Sequence, residues 1–155
     1  MSLWGYKDWS GDIVIPARFS SCARHFYDGV AWANDPYEKR TGYINPDGSW
    51  RIVLDGNTAS DFVDGMGEFW VWADPQSKRT QRYGFVNLEG EVVVPPVYRT
   101  VESYVDGYVL IEEQTWVGSW MDHLFGGFYG MLGTPFDTKA IILDKHGNRV
   151  KLPKR

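Results

Sequence analysis

An aromatic residue followed by x-Asp-Gly is written three times in this chain, at Phe26–Gly29, Phe62–Gly65 and Tyr104–Gly107. The phrase is one landmark of a longer period. Gly5, Gly42 and Gly84 are each followed by Tyr or Phe, and each precedes a second glycine (Gly11, Gly48, Gly90) by six positions. The second glycine precedes the third (Gly29, Gly65, Gly107) by 17 or 18 positions. Ser10, Asp47 and Glu89 stand just before the second glycine, and Asp28, Asp64 and Asp106 just before the third. Agreement at three landmarks makes the chain a repeat array with a period of about 40 residues. An array confines the fold, because each unit must hide its apolar face against its neighbours.

One unit reads as β-structure. Gly42–Leu54 (GYINPDGSWRIVL) is strand, tight turn, strand, with Asp47-Gly48 expected to supply the positive backbone angles of the hairpin. The second strand of the third unit ends at Pro95-Pro96, and that of the first at Pro16, because proline cannot continue a central strand. The aromatic-x-Asp-Gly phrase then turns the chain into a third strand: Val30–Ala33, Glu68–Ala73 and Tyr108–Glu113. Phe26, Phe62 and Tyr104 are expected to insert into seams between neighbouring units. Ile141–Pro153 repeats the hairpin once more, with His146-Gly147 in its turn. The expectation is an all-β antiparallel meander of about eleven short strands, with three three-stranded units and a C-terminal hairpin. Open twisted and propeller-like arrangements both remain compatible. One domain spans 1–155, with repeats at 3–40, 41–82 and 83–113, an insertion at 114–139 and a partial repeat at 140–153.

Leu3–Ala33 (LWGYKDWSGDIVIPARFSSCARHFYDGVAWA) resembles the bacterial WG repeat, also called the KWG repeat. The resemblance runs through most of residues 3–111 and partly through 140–153. It departs where Thr41 and Tyr83 replace the Trp found at Trp4, and where Val53-Leu54 replaces the proline. What the resemblance implies is a non-catalytic β-rich scaffold from a bacterial protein; it brings no substrate and no catalytic residues.

Composition removes several alternatives. Apolar residues are 43% and charged residues 23%, a globular balance. A net charge of −4 argues against a nucleic-acid partner. The single cysteine, Cys22, excludes an intrachain disulfide, and the N-terminus lacks the layout of a signal peptide. No apolar run approaches the ~18 residues of a membrane span. A cytoplasmic protein that does not insert into membranes is therefore expected.

Function is sought where the repeats differ in length. The interval from Gly5 to Gly42 is 37, from Gly42 to Gly84 it is 42, and from Gly84 to Ile141 it is 57. The excess lies after the third strand. There the chain writes Asp35–Thr41 (DPYEKRT), then Asp74–Thr80 (DPQSKRT), then the aromatic, glycine-rich stretch Gln114–Lys139. Insertions at equivalent places gather along one edge of an array, often its binding face. Lys39, Arg40, Lys78 and Arg79 are thus read either as solvated hairpin tips or as a basic stripe. Trp116, Trp120, Phe128 and Tyr129 either cap the sheet or anchor a partner. Trp70 and Trp72 share one side of a strand, either as packing or as a platform for a glycan.

Chemistry is thinly represented. Cys22 and His25 are three apart, but Cys in a short connection is more often a small buried hydrophobe than a nucleophile. Asp122 and His123 lack a spaced nucleophile, His146 belongs to a turn, and the histidines match no zinc spacing. The Asp-Gly aspartates read as turn residues rather than calcium ligands. The expectation is a non-enzymatic scaffold without cofactor or metal that binds another protein, with an immunity or antitoxin factor as one form such a binder takes. The alternatives are a glycan- or cell-envelope-binding module and, third, an enzyme of unknown type.

Overall fold

The computed structural model describes residues 1–116 and 136–151, without the side chains of 102–105, 112–116 and 136–139. Among the described residues the chain is all β and contains no helix. The first hairpin is β1 (Trp4–Lys7) and β2 (Ile13–Phe19). A second sheet holds β3 (Ser21–Cys22), β4 (Ala31–Asp35), β5 (Arg40–Ile44) and β6 (Trp50–Leu54) in that order. The third holds β7 (Met66–Trp72), β8 (Gln81–Asn87) and β9 (Val92–Tyr98). The fourth holds β10 (Val101–Val105), β11 (Tyr108–Trp116), β12 (Phe136–Asp144) and β13 (Arg149–Val150). Each pairing is antiparallel.

Sheets and sequence repeats are out of phase. The third strand of each repeat does not pair with its own hairpin; it pairs with the first strand of the next one. Ala31 faces Ile44, Gly67 faces Val86, and Val109 faces Leu143. One register therefore recurs three times. Gly5, Gly42 and Gly84 occupy corresponding places, each pressed against a carbonyl of the adjacent strand (Ile15, Ile52 and Val94, respectively). In the first and third repeats a bulge wraps this glycine. Pro16, Ala17 and Arg18 stand opposite Gly5, and Pro95, Pro96 and Val97 stand opposite Gly84. β2 and β9 run on past Pro16 and Pro95-Pro96 instead of ending there, because the prolines lie where the ladder is already interrupted and their missing N–H costs nothing. At Gly42 the ladder runs unbroken, with Val53 opposite, which is why that repeat needs no proline. In the last hairpin Ile141 takes the glycine's place. There the described register of β13 reaches only Ile142 and Leu143.

Two turn types alternate. Asp28-Gly29, Asp64-Gly65 and Asp106-Gly107 have both residues at positive φ (50° and 78°, 49° and 77°, 51° and 78°), the two-residue hairpin that follows the strand twist. The other turn uses glycine alone: Gly48 has φ 85°, whereas Asp47 is not left-handed, correcting the expectation for that pair. Here the first turn residue supplies the order. Asp8 Oδ1 accepts from the amides of Ser10 and Asp12, Asn87 Oδ1 from Glu89 and Glu91, and Asp144 Oδ1 from His146 and Asn148. Asn45 opens the same turn.

The core lies in the seams between successive sheets. The first contains Ile15, Phe19, Ala23, Ala31, Ala33 and Ile44, with Tyr6 and Phe26 packed on it. The second contains Val30, Tyr43, Ile52, Phe62, Phe69 and Val86. The third contains Met66, Phe85, Val94, Val109, Ile111, Ile141 and Leu143. The phrase aromatics do insert into the seams. Phe62 is buried edge-on against Tyr43 at 4.6 Å, and Phe26 lies 5.0 Å from Tyr6. The side chain of Tyr104 lies outside the described residues. Arg18 ties the first hairpin to the next sheet, donating to the Gly48 carbonyl at 2.9 Å and pairing with the buried Asp35 at 3.5 Å.

The phrase aspartate also couples repeats. Asp28 Oδ2 accepts from the Gly65 amide of the next Asp-Gly turn at 2.8 Å. Asp28→Ala should lose this bond and put at φ 50° a residue without the polar side chain that lets aspartate tolerate the left-handed region, at a cost of about 1–2 kcal/mol in urea unfolding. Asp28→Asn, which tolerates the angle and retains an acceptor, should change stability by less than about 0.5 kcal/mol.

Candidate interaction edges

The connections β4–β5, β7–β8 and β11–β12 join corresponding strand ends, so the topology places all three at one edge. The ribbons leading to them lengthen along the array. β4 and β5 exchange five register pairs, β7 and β8 seven, and β11 and β12 nine. The last runs from Tyr108↔Asp144 to Trp116↔Phe136. Residues Gln114–Trp116 and Phe136–Lys139, read from sequence as insertion, are thus strand. Trp120, Phe128 and Tyr129 lie outside the described residues, as do Asp122 and His123, and Trp116 is described only as the backbone end of β11.

Lys39, Arg40, Lys78 and Arg79 are all exposed at this edge. Lys39 and Lys78 share a left-handed backbone, with φ 53° and 50°. The aspartate that opens each phrase holds the turn. Asp35 Oδ1 accepts from the Tyr37 and Glu38 amides, and Asp74 Oδ1 accepts from the Gln76 amide. Backbone donors at Gln76, followed by the Ser77 side chain and amide, hold the Asp74 carboxyl below the usual range. The phrases are not at matching heights, however. Arg40 pairs with Asp35 beside the sheet, while the register counterpart of Arg40 in the third sheet is Arg82, opposite Val71. Lys78 and Arg79 therefore sit farther out, at the tip of a longer ribbon. Nor are the charges equally free: Arg40 pairs with Glu38 at 3.1 Å, and Glu38 also accepts from the Trp50 indole at 2.9 Å.

An aromatic row crosses the third sheet. Trp70 faces Tyr83, and Tyr83 faces Tyr98, so the three share one side. Trp72 packs edge-on against Trp70 at 5.0 Å. Both tryptophans are half-buried and belong to none of the three seams, so packing describes them incompletely. Beside them a groove of about 330 Å³ is lined by Arg79, Thr80, Gln81, Tyr83, Arg99 and Thr100. Nothing in the residue spacing announces this groove, because Arg79 and Arg99 come from different hairpins.

The groups with chemical potential are dispersed. Burial pushes the Cys22 thiol up, and a hydrogen bond with Tyr6 only partly offsets this, so the thiolate is disfavoured. His25 instead lies edge-on to Tyr27 at 6.3 Å. Burial likewise pushes the Tyr6 and Tyr43 phenols and the Glu68 carboxyl upward. His146 is exposed at its turn and shares a groove of about 580 Å³ with Asp64, Asp106, Tyr108, Asp144 and Lys145. Among the described residues no three His, Cys, Asp or Glu side chains gather closely enough to hold a metal ion.

The family model for the WG-containing repeat matches residues 4–34 and 83–113. These two segments are WG repeats. Each match runs from the start of a hairpin (Trp4 or Tyr83) into the third strand. In both, the glycine of the motif is the one wrapped by the proline-bearing bulge. Residues 41–72 adopt the same strand order without that bulge. No curated protein and no solved structure matches the chain.

Proposed function

We propose that this WG-repeat chain is a non-enzymatic scaffold that binds another protein along the edge where its ribbons lengthen. The observation that carries the reading is the progression from five to seven to nine pairs at corresponding connections. A sheet needs no extra rungs to bury its seam, and β11–β12 continues for five register pairs beyond Ile111↔Ile141. Lys78 and Arg79 steer an acidic partner together with Lys39, with Arg40 contributing less because Glu38 neutralises part of its charge. Trp116, Trp120, Phe128 and Tyr129 supply the apolar anchors.

The test is affinity capture from the source cells, followed by quantitation of the captured protein on variants. Trp116→Ala/Trp120→Ala/Phe128→Ala should abolish capture while the thermal melt is retained. Lys78→Glu/Arg79→Glu should weaken it about tenfold at low salt and less at high salt. Undiminished capture by both variants would reject the edge.

The aromatic row supports a second reading, a glycan platform formed by Trp70, Trp72 and Tyr83. Oligosaccharide-dependent tryptophan fluorescence that disappears in Trp72→Ala would favour it.

A further inference from the structure

β5, β8 and β12 each lie between two strands, with the third strand of the preceding repeat on one side. β1 is their counterpart, and among the described residues it pairs with β2 alone. Burial records the difference. Gly42, Tyr43 and Ile44 are buried, and so are Gly84, Phe85 and Val86; Gly5 and Lys7 are exposed and Tyr6 is half-buried. Along the open side of β1 runs a groove of about 360 Å³, lined by Trp4, Gly5, Tyr6, Ser21, Cys22 and Ala23, with Arg24 at its end. In the next seam the corresponding space is filled by β4. Val30 joins Tyr43 and Phe62 in one buried cluster, and Trp32 packs against it. Met66 does the same for Phe85 one seam later. Over Tyr6 and Phe26 no residue plays the part of Val30 or Met66 among the described residues.

We propose that the β1 edge is a strand-accepting site, taking an extended segment with the pattern of this protein's own third strands. The incoming backbone pairs antiparallel with Trp4–Lys7. A large apolar residue covers Tyr6 as Val30 covers Tyr43, and small residues flank it so the strand can lie against Gly5.

Charge defines the occupant further. Lys7 stands where Ile44, Val86 and Leu143 stand, positions that face the preceding sheet elsewhere in the array. The cross-strand neighbour of that position is Ala31, Gly67 or Val109 in the complete sheets. At β1 the neighbour of Lys7 meets a cation and water instead, so an acidic residue belongs there. The occupant is therefore an amphipathic strand, apolar toward Tyr6 and acidic toward Lys7. A second copy of the chain is the poorer fit, because its three third strands already pair within its own sheets.

The probe is a labelled peptide with the sequence of residues 26–35 carrying Ala31→Glu, added to the full chain. Two readouts report on the edge itself: amide exchange of Trp4–Lys7, and alkylation of Cys22, the chain's single cysteine. At ten times its Kd the peptide should slow Cys22 alkylation about tenfold and protect the β1 amides. A peptide carrying Ala31→Lys should bind more weakly, and most so at low salt. Cys22→Trp fills the groove, and Lys7→Pro removes an edge donor, because the Asp8 amide bonds back across the hairpin to Asp12 and the Lys7 amide therefore faces the open side; each should abolish the peptide's anisotropy change while the thermal melt is retained. Absence of β1 protection, protection confined to another sheet, or self-association that the peptide does not displace would overturn the proposal. None of these readouts involves residues 117–135, so failure here and failure of the edge proposed above are separately visible.

Discussion

Gly42→Ala should lower stability by about 3 kcal/mol, and the melting temperature by roughly 6–12 °C. A β-carbon at this position would fall on the Ile52 carbonyl oxygen, with Val53 Cα close behind. Backbone on a central ladder cannot rotate away as a side chain does, so the strands must part. Gly42 is buried between β4 and β6, and neither neighbour is free to move alone. The informative control is Gly29→Ala. That residue has φ 78° but nothing near its missing β-carbon, so only conformational strain is incurred, about 1–2 kcal/mol. Urea titrations of the two variants separate steric from torsional reasons for glycine. Equal losses would reject the close-approach explanation of the repeat's defining glycine.

Tyr43→Ala should cost about 3–5 kcal/mol, the range for removing a large ring from a packed interior. Tyr43 is fully buried and meets Phe62 edge-on. Its hydroxyl is 3.0 Å from Thr58 Oγ1, 3.0 Å from the Ser60 carbonyl and 3.1 Å from the Glu68 carbonyl. Tyr43→Phe keeps the ring and removes the hub of that network, for about 1–3 kcal/mol. The same burial sets an alkaline limit. An unfolded tyrosine ionises near pH 10, whereas burial holds Tyr43 neutral to higher pH. Above pH 10 the unfolded chain therefore binds fewer protons than the folded one, and stability falls as pH rises. The slope approaches about 1.4 kcal/mol per pH unit for this residue. It should be shallower in Tyr43→Phe, measured by urea titration at pH 9, 10 and 11.

The scaffold was largely legible because its landmarks are backbone requirements. Asp-Gly at two left-handed positions and a glycine under a carbonyl leave little choice of residue, so they recur in the letters. What escaped was relational. No residue type signals that a third strand pairs forward with the next hairpin, since the same apolar alternation serves either partner. The two Lys-Arg-Thr phrases misled for a related reason. Their likeness reflects a shared turn, with aspartate opening it and lysine taking the left-handed position. Thr41 directly precedes Gly42, while three residues separate Thr80 from Gly84, and register follows the glycines. The stems of the stretch read as insertion were hidden, because Gln114–Trp116 continues a strand without any break in pattern. The groove beside Trp70 was not legible at all, being assembled from Arg79 and Arg99 on separate hairpins.

The forward pairing of each third strand decides where the molecule can be divided. An excision that follows the written period, such as residues 41–82, carries away β5 to β7 and leaves β4 and β8 both bereft of a partner. Only because their neighbours were equivalent could those two loose ends find each other and reseal the array. Loss or duplication of a whole period should therefore disturb the array less than loss of a single hairpin, whereas an isolated single period holds a hairpin and a strand that do not pair with each other.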